Sequence, residues 1–288
     1  MDSGLRQNDI IRRLLKGNKM PKLTSKFIKT LVKDLGADLV GIAPVERFAG
    51  APPGHGPLDL MPRAKTVIVA GVRIPDPVVD YDEYHLKMKE MALELGIQAS
   101  IENFYMQMGH YTLDMMLNII ATKLANRLET GWGQRSLPTP NAQHTGLGHP
   151  VMEAPMGFFS QRHAAVRAGL GEFGLSGLVI TPQYGPRVRY VSVITEAELE
   201  PDSLLAEKVC MRGKCGGEPG PCCQQKCANK AITLRPGINL DKIFIDIPVS
   251  LDRMKCASLV GDKGAFGCTF VGTCMRLCPV GMKVTKRR

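Results

Sequence analysis

Nine cysteines, all of which follow residue 209, are the side chains of this chain best suited to chemistry. In chain order they are Cys210, Cys215, Cys222, Cys223, Cys227, Cys256, Cys268, Cys274 and Cys278. Thiolates are soft donors, which favour zinc and iron–sulfur clusters over hard cations. The cysteine-rich segment therefore predicts a soft-metal site, and the spacing of the cysteines indicates which kind.

Two pairs, Cys223–Cys227 and Cys274–Cys278, are each separated by three residues, and Pro279 follows the second pair directly. The same interval closes the bacterial two-cluster ferredoxin run, C-x2-C-x2-C-x3-C-P, whose fourth cysteine ligates the other cluster. By that crossing rule one 4Fe-4S cluster takes Cys210, Cys215, Cys223 and Cys278. The other takes Cys227, Cys256, Cys268 and Cys274. Cys222 is left over, and the choice of Cys223 depends only on the three-residue interval.

Two alternatives stay open for these cysteines. Zinc could replace one cluster, although structural zinc sites commonly present two C-x2-C pairs, which this sequence lacks. Disulfides form mainly in exported proteins. The segment IIRRLLKG resembles a twin-arginine signal, but GNKMPKLTSK follows it instead of an apolar stretch, so we expect a cytoplasmic chain with reduced thiols.

The net charge of +10 comes from the two ends of the chain. Residues 1–35 carry nine Lys or Arg against three Asp, and residues 283–288 carry four more basic residues. Basic ends are usually solvated, and tRNA is the alternative anionic partner. No apolar run is long enough to cross a bilayer, so no membrane partner is expected.

The elements ahead of the cysteines alternate between helices and buried strands. Thr24 or Ser25 should cap a helix that ends at Gly36, and DLVGIAPV and KTVIVAGVRI read as buried strands. Further on, the patterns predict a mostly helical stretch from Asp82 to about Glu129, a Gly- and Pro-rich loop over 131–155, a short helix over 161–168, and strands over 178–181 and 188–195.

The motifs RHAAVRAGLGEFGLSGL, ITPQYGPRVR and EPD, followed by the double cysteine region, resemble the superfamily of epoxyqueuosine reductase and the corrinoid reductive dehalogenases. The resemblance implies an α+β fold, with a nitroreductase-like cobalamin domain over 21–205 and a ferredoxin-like domain with two 4Fe-4S clusters over 206–288. Residues 1–20 would be a basic N-terminal arm.

The same resemblance implies an oxidoreductase in which electrons pass from the two clusters to cob(II)/cob(I)alamin, for reductive cleavage of a C–O or C–halogen bond. A low-potential ferredoxin or flavodoxin would supply the electrons. Two alternatives are a corrinoid-binding protein that reduces cobalamin for a partner enzyme, and an iron–sulfur electron-transfer protein that uses FMN.

Candidate residues for the reaction lie in and after the long loop. Reductive cleavage needs a proton donor, and the candidates are Glu153, His163 and Tyr184. Epoxyqueuosine reductases carry a catalytic Asp in a DSAP-like stretch, where this chain reads Met152-Glu153-Ala154-Pro155. The candidate cofactor-binding residues are Arg162, His163, Gly169, Gly171, Gly177 and Arg187.

Overall fold

The computed structural model describes residues 21–79, 94, 105–141, 157–215, 221–227, 229–252, 255–256 and 272–281. The chain divides into two compact units that are each discontinuous in sequence. Unit 1 comprises Met1–Val72, Asp114–Glu172 and Arg189–Glu207, and unit 2 comprises Arg73–Leu113, Phe173–Val188 and Lys208–Arg288. Both helices and strands are present, as the α+β prediction requires.

Unit 1 is built around a four-stranded sheet with strand order β1-β2-β6-β3. The strands are β1 (Leu39–Pro44), β2 (Thr66–Arg73), β3 (Ser136–Thr139) and β6 (Val188–Thr195). β1 runs antiparallel to β2, with Ile42 opposite Ile68. The apolar runs that predicted β1, β2 and β6 are almost wholly buried, which explains why they lack a polar alternation.

Helix α1 (Ser25–Asp34) begins as the sequence predicted. The Thr24 hydroxyl accepts a hydrogen bond from the Phe27 N–H at 3.2 Å, which satisfies one of the free amides of the first turn. Ile28, Leu31 and Val32 lie on one face and are buried. Spacings of three and four residues place these side chains side by side, so the helix packs through a single apolar stripe.

Asp202, the last residue of the EPD motif, is hydrogen-bonded to the outer edge of strand β1. Its carboxylate accepts a hydrogen bond from the Ile42 N–H at 2.9 Å, and its own N–H donates to the Ile42 carbonyl at 2.9 Å. Lys29 of α1 forms an ion pair with the same carboxylate. Asp202 therefore ties strand, helix and the end of unit 1 together through one side chain.

The long helix α4 (Thr112–Trp132) follows a π-helical turn at Tyr105–Tyr111. Its buried side chains include Leu117, Ile120, Leu124 and Leu128, again at helical spacing. The predicted helical stretch is confirmed over 105–129, and most of 82–104 lies outside the described residues.

The loop prediction for 131–155 is wrong at Gly131 and Trp132, which end helix α4, and at Ser136–Thr139, which form edge strand β3. β3 pairs antiparallel with β6, with Pro138 opposite Val193. Proline lacks an N–H and is tolerated on an edge strand, although in sequence it argues against one. The remainder of the predicted loop, from 142 to 156, lies outside the described residues and includes Glu153.

Helix α5 (Gln161–Arg167) follows next in the chain and begins at the N-cap Ser160. After it, unit 2 has mostly short elements. Two-stranded ribbons are formed by β4 (Glu172–Phe173) with β5 (Val179–Ile180), and by β7 (Ile232–Leu234) with β8 (Val249–Leu251). The helical turns outside α1, α4 and α5 are Val45–Phe48, α2 (Pro57–Leu60), α3 (Asp76–Val79), α6 (Cys222–Gln225) and α7 (Thr273–Arg276). Within the described ranges, none of the helices combines the length and apolar character that a bilayer crossing requires.

Candidate cysteine site

Unit 2 gathers cysteines from three separate segments around one cavity. The cavity has an empty volume of about 330 Å³, part of it open to solvent. Its cysteine lining consists of Cys210, Cys215, Cys222, Cys223, Cys274 and Cys278. Leu175, Ile180 and Val280 add apolar walls. The cavity thus presents sulfur donors in an otherwise apolar setting.

Short helices carry the first cysteine of each C-x3-C pair, Cys223 and Cys274. α6 begins at Cys222 after Pro221, whose fixed φ suits the start of a helix, and α7 carries Cys274 in its single turn. Cys222 and Cys223 are both buried, at 9% and 7% exposed. The Cys222 thiol also lies 3.5 Å from the Leu277 carbonyl oxygen, within reach of a sulfur hydrogen bond.

A second group of cysteines surrounds Cys227. Cys227 packs in a small core with Ala231, Ile232 and Val249, and Cys256 and Cys274 pack against that core. The Ala231 N–H donates to the Cys227 sulfur at 3.4 Å. Cys268, the remaining predicted ligand of this group, lies outside the described residues.

None of the eight described cysteines is in a disulfide. Among the residues that the structure describes, no group of three His, Cys, Asp or Glu side chains lies close enough to hold one metal ion. A single zinc ion draws four ligands to about 2.3 Å from its centre. An iron–sulfur cube binds each thiolate to a different iron, so its ligands stand farther apart than those of a single zinc ion.

Burial raises the pKa of three thiols of the cavity, those of Cys222, Cys223 and Cys278. Burial first, and then the neighbouring Cys215 thiol, raise the pKa of Cys222 to about 12. Burial raises the pKa of Cys278 to about 11, while a hydrogen bond from the Val280 amide and the charge of Arg187 act in the opposite direction. Burial, followed by the other cysteines, also raises the pKa of Cys223. Ligation of a cluster by Cys223 and Cys278 must therefore displace protons from these two thiols.

The turn that contains Tyr184 and Arg187 packs against the last cysteine motif. Gly185 has φ +56°, and a Cβ atom there would overlap the carbonyl oxygen of Val280. Arg187, at 1% exposed, donates to the carbonyl oxygens of Cys278 at 3.3 Å and Arg276 at 2.8 Å. The two residues predicted for catalysis and corrinoid binding are thus in contact with, or next to, the cysteine loop.

Arg212 lies between Cys210 and Cys215 in sequence, directly after Met211, which lines the cavity. Its guanidinium lies 4.0 Å from the Phe244 ring centroid and donates to the carbonyl oxygens of Leu240 and Lys242. Sequence reasoning missed Arg212, Asp76 and Arg73. Arg212 offered one signal, its position between two cysteines. Arg73 and Asp76 form an ion pair with each other three residues apart, and Asp76 also pairs with Arg187, which lies in a distant segment of the sequence.

The remaining predicted residues lie apart from the cysteines in sequence, and the structure gives each a local setting. Arg162 and His163 are in the first turn of α5, where the N-cap Ser160 hydroxyl is 2.7 Å from the His163 Nδ1. Gly169 has φ +74°, and its Cα faces the Ser203 carbonyl oxygen so closely that a Cβ atom would overlap it.

Gly171 is buried. Gly177 lies in the turn after β4, where its N–H donates to the Gly174 carbonyl oxygen. The packing of Gly169 explains why glycine is needed there without reference to a cofactor. The assignments of Arg162, His163, Gly169, Gly171 and Gly177 to cofactor binding stay predictions.

No family model matches the sequence. Curated proteins do: the chain is 58% identical over 195 residues to a tetrachloroethene reductive dehalogenase from Desulfitobacterium hafniense, covering 62% of this chain and 33% of that protein. A tetrachloroethene reductive dehalogenase from Dehalobacter restrictus is 30% identical over 206 residues, with the same coverage. The chain spans about a third of the length of these two relatives.

Solved structures show the same relationship at the level of the fold. A catabolic reductive dehalogenase in complex with 3-bromo-4-hydroxybenzoic acid matches with a TM-score of 0.59 at 17% identity, over 95% of this chain and 36% of that one. Epoxyqueuosine reductase in complex with a modified tRNA stem loop matches with a TM-score of 0.51 at 17% identity, over 89% of this chain and 65% of that one. The resemblance to the superfamily of reductive dehalogenases and epoxyqueuosine reductase, predicted from the motifs, is confirmed by both comparisons.

Proposed function

We propose that unit 2 binds two 4Fe-4S clusters. The first would be held by Cys210, Cys215, Cys223 and Cys278. The second would be held by Cys227, Cys256, Cys274 and Cys268. The observation that carries the proposal is the cavity lined by six cysteines, because four soft thiolates from separate segments are what a cube requires.

The two groups of cysteines adjoin each other at Cys274. Its side chain lines the cavity and also packs against the core around Cys227. Cys227 and Cys278 each belong, by the crossing rule, to the cluster of the other motif. This arrangement suits two clusters that exchange electrons through neighbouring ligands.

We infer that the chain is a corrinoid-dependent iron–sulfur reductase that cleaves carbon–halogen bonds. Support comes from the curated relatives, which are tetrachloroethene reductive dehalogenases, and from the fold of a reductive dehalogenase described as B12-dependent. When bound, cobalamin would supply a strongly reducing cobalt centre, while the protein supplies orientation, exclusion of water and protons. The expected substrate class is small organohalides.

Helix α4 offers a surface that suits a large apolar group. Met115, Met116 and Ile119 are 65%, 40% and 51% exposed on this helix. Ile119 lies four residues after Met115 and three after Met116, so both methionines are its neighbours on the helix surface. Covering their exposed apolar area would be favourable. A corrin ring or an organohalide would cover such a surface.

The protein residues proposed for proton transfer are Glu153, His163 and Tyr184. The His163 imidazole is already hydrogen-bonded to Ser160, so its orientation in the first turn of α5 is fixed. The Tyr184 ring lies 5.6 Å from the Arg73 guanidinium, and this cation–π contact orients the ring. Glu153 lies outside the described residues.

The experiment is anaerobic reconstitution with iron, sulfide and hydroxocobalamin, followed by spectroscopy and turnover of tetrachloroethene with a strong chemical reductant. We expect about eight iron per chain, a bound corrinoid spectrum and chloride release. Corrinoid binding without chloride release would instead support a protein that reduces cobalamin for a partner. A flavin spectrum after reconstitution with FMN, and none with hydroxocobalamin, would contradict the corrinoid assignment.

A further inference from the structure

A buried ion pair lies directly behind the last cysteine motif. Arg187 and Asp76 are 1% and 6% exposed, and the Arg187 Nε is 3.7 Å from an Asp76 carboxylate oxygen. The two Nη atoms of Arg187 donate to the carbonyl oxygens of Cys278 and Arg276. One guanidinium therefore joins a buried carboxylate to the backbone on both sides of Leu277.

Asp76 is held in turn by a second arginine. Its other carboxylate oxygen accepts a hydrogen bond from the Arg73 Nη2 at 2.7 Å. The Ile74 N–H donates to the Arg187 carbonyl oxygen at 2.9 Å. This bond links the backbone two residues before Asp76 to the backbone of Arg187. Asp76 also begins the short helix α3, where a carboxylate complements the amides of the first turn. Contacts with the segment 73–76 therefore help to fix the Arg187 guanidinium against the Cys278 loop.

The backbone next to Cys278 has little freedom to move. Gly281 and Gly185 face each other so closely that a Cβ atom on either one would overlap the other turn. The Val280 amide donates to the Cys278 sulfur. Hydrogen bonds to ligand sulfurs and local net charge are two of the features that set the potential of an iron–sulfur cluster.

The charge of Arg187 should act strongly on anything bound at Cys278. It is almost fully buried, so solvent screens it much less than a surface charge. The guanidinium donates to the Cys278 carbonyl oxygen at 3.3 Å, so its charge lies beside this proposed ligand. Reduction adds a negative charge to a cluster, and a fixed cation stabilises that form.

We propose that the Arg187–Asp76 pair positions the Cys278 loop and sets the reduction potential of the cluster that Cys278 ligates. Arg187 makes reduction of this cluster easier, and Asp76 moderates the effect by offsetting part of the positive charge. The proposal rests on the cluster assignment of the proposed function and does not depend on corrinoid binding or on the substrate.

The test is an anaerobic redox titration, followed by electron paramagnetic resonance, of reconstituted wild type, Arg187→Met and Asp76→Asn without added corrinoid. Arg187→Met should shift the midpoint potential of one cluster to more negative values. Asp76→Asn should shift the same cluster in the opposite direction. The other cluster should keep its potential in both variants.

Asp114→Asn is the matched control, because Asp114 forms a comparable buried pair with Arg189 in unit 1, at 2.6 Å. We expect it to leave both potentials unchanged. Arg187→Lys keeps the charge but cannot form the two-pronged contact with both carbonyls, so it should retain a potential near that of wild type and lose thermal stability.

Unchanged potentials in Arg187→Met and Asp76→Asn, or shifts of the same sign, would overturn the proposal. If Arg187→Met does not assemble its clusters, Asp76→Asn and Arg187→Lys decide the matter by the same criteria. Wild type without two clusters would overturn the cluster assignment itself, which iron content reveals before any potential is measured. Failure to bind cobalamin would leave this test unaffected.

Discussion

Adjacent cysteines at 222 and 223 give the sharpest test of the ligand assignment. The spacing rule selects Cys223, since it lies three residues before Cys227. Both thiols line the cavity and are buried to nearly the same extent, so each serves as the control for the other. Burial raises the pKa of both thiols, and neighbouring cysteines raise it further. Burial therefore does not distinguish the two thiols as cluster ligands. The iron content of the two single variants does.

We expect Cys223→Ala to lose one cluster, lowering the iron content from about eight to about four per chain. Cys222→Ala should retain about eight iron and the signals of both clusters. Each variant loses one buried sulfur, so the cost to packing should be similar and of the order of 1 kcal/mol.

The assay is iron and acid-labile sulfide analysis of anaerobically reconstituted protein, together with spin quantification of the reduced clusters. Thermal unfolding of the apo forms controls for misfolding. The reasoning would be refuted if Cys222→Ala lost half of the iron while Cys223→Ala kept all of it.

Three further predictions concern the scaffold. Asp202→Ala leaves the buried Ile42 N–H without its acceptor and should lower the free energy of unfolding by about 1–3 kcal/mol, measured by urea denaturation; an unchanged midpoint would show that β1 does not depend on this contact. The Tyr190 hydroxyl has no hydrogen-bond partner among the described residues. Tyr190→Phe should therefore leave the free energy of unfolding unchanged or raise it by up to about 1–3 kcal/mol in the same assay. A loss of stability would reveal a hydrogen-bond partner of this hydroxyl. Burial raises the pKa of Cys278 to about 11 in the folded state, so the apo protein should be fully stable below pH 9 and should lose stability as the pH rises through about 11. Thermal melts across this range that show no decline would contradict the burial of that thiol.

Sequence patterns predicted the strands and helices that bury continuous apolar stretches. β1, β2 and β6 are apolar runs bounded by turn residues, and α1 carries both its cap and its stripe in ten residues. β3 escaped prediction because Ser136-Leu137-Pro138-Thr139 is short and contains a proline. Its strand conformation comes from pairing with β6, a partner that local sequence does not reveal.

The candidate site was also predicted only in part. Cysteine spacing indicated two groups, and the structure brings together the described members of each. Arg187 was selected as a cofactor ligand because it follows a Gly-Pro turn, yet its guanidinium contacts the carbonyls of the Cys278 loop. Its partner Asp76 had no sequence signal, since the two residues meet only in the folded chain.

Iron and corrinoid content, measured together on protein reconstituted anaerobically, tests the central claim most directly. The account predicts about eight iron per chain with a corrinoid retained through gel filtration. Protein that keeps its iron but retains no corrinoid would contradict the assignment as a corrinoid-dependent reductase.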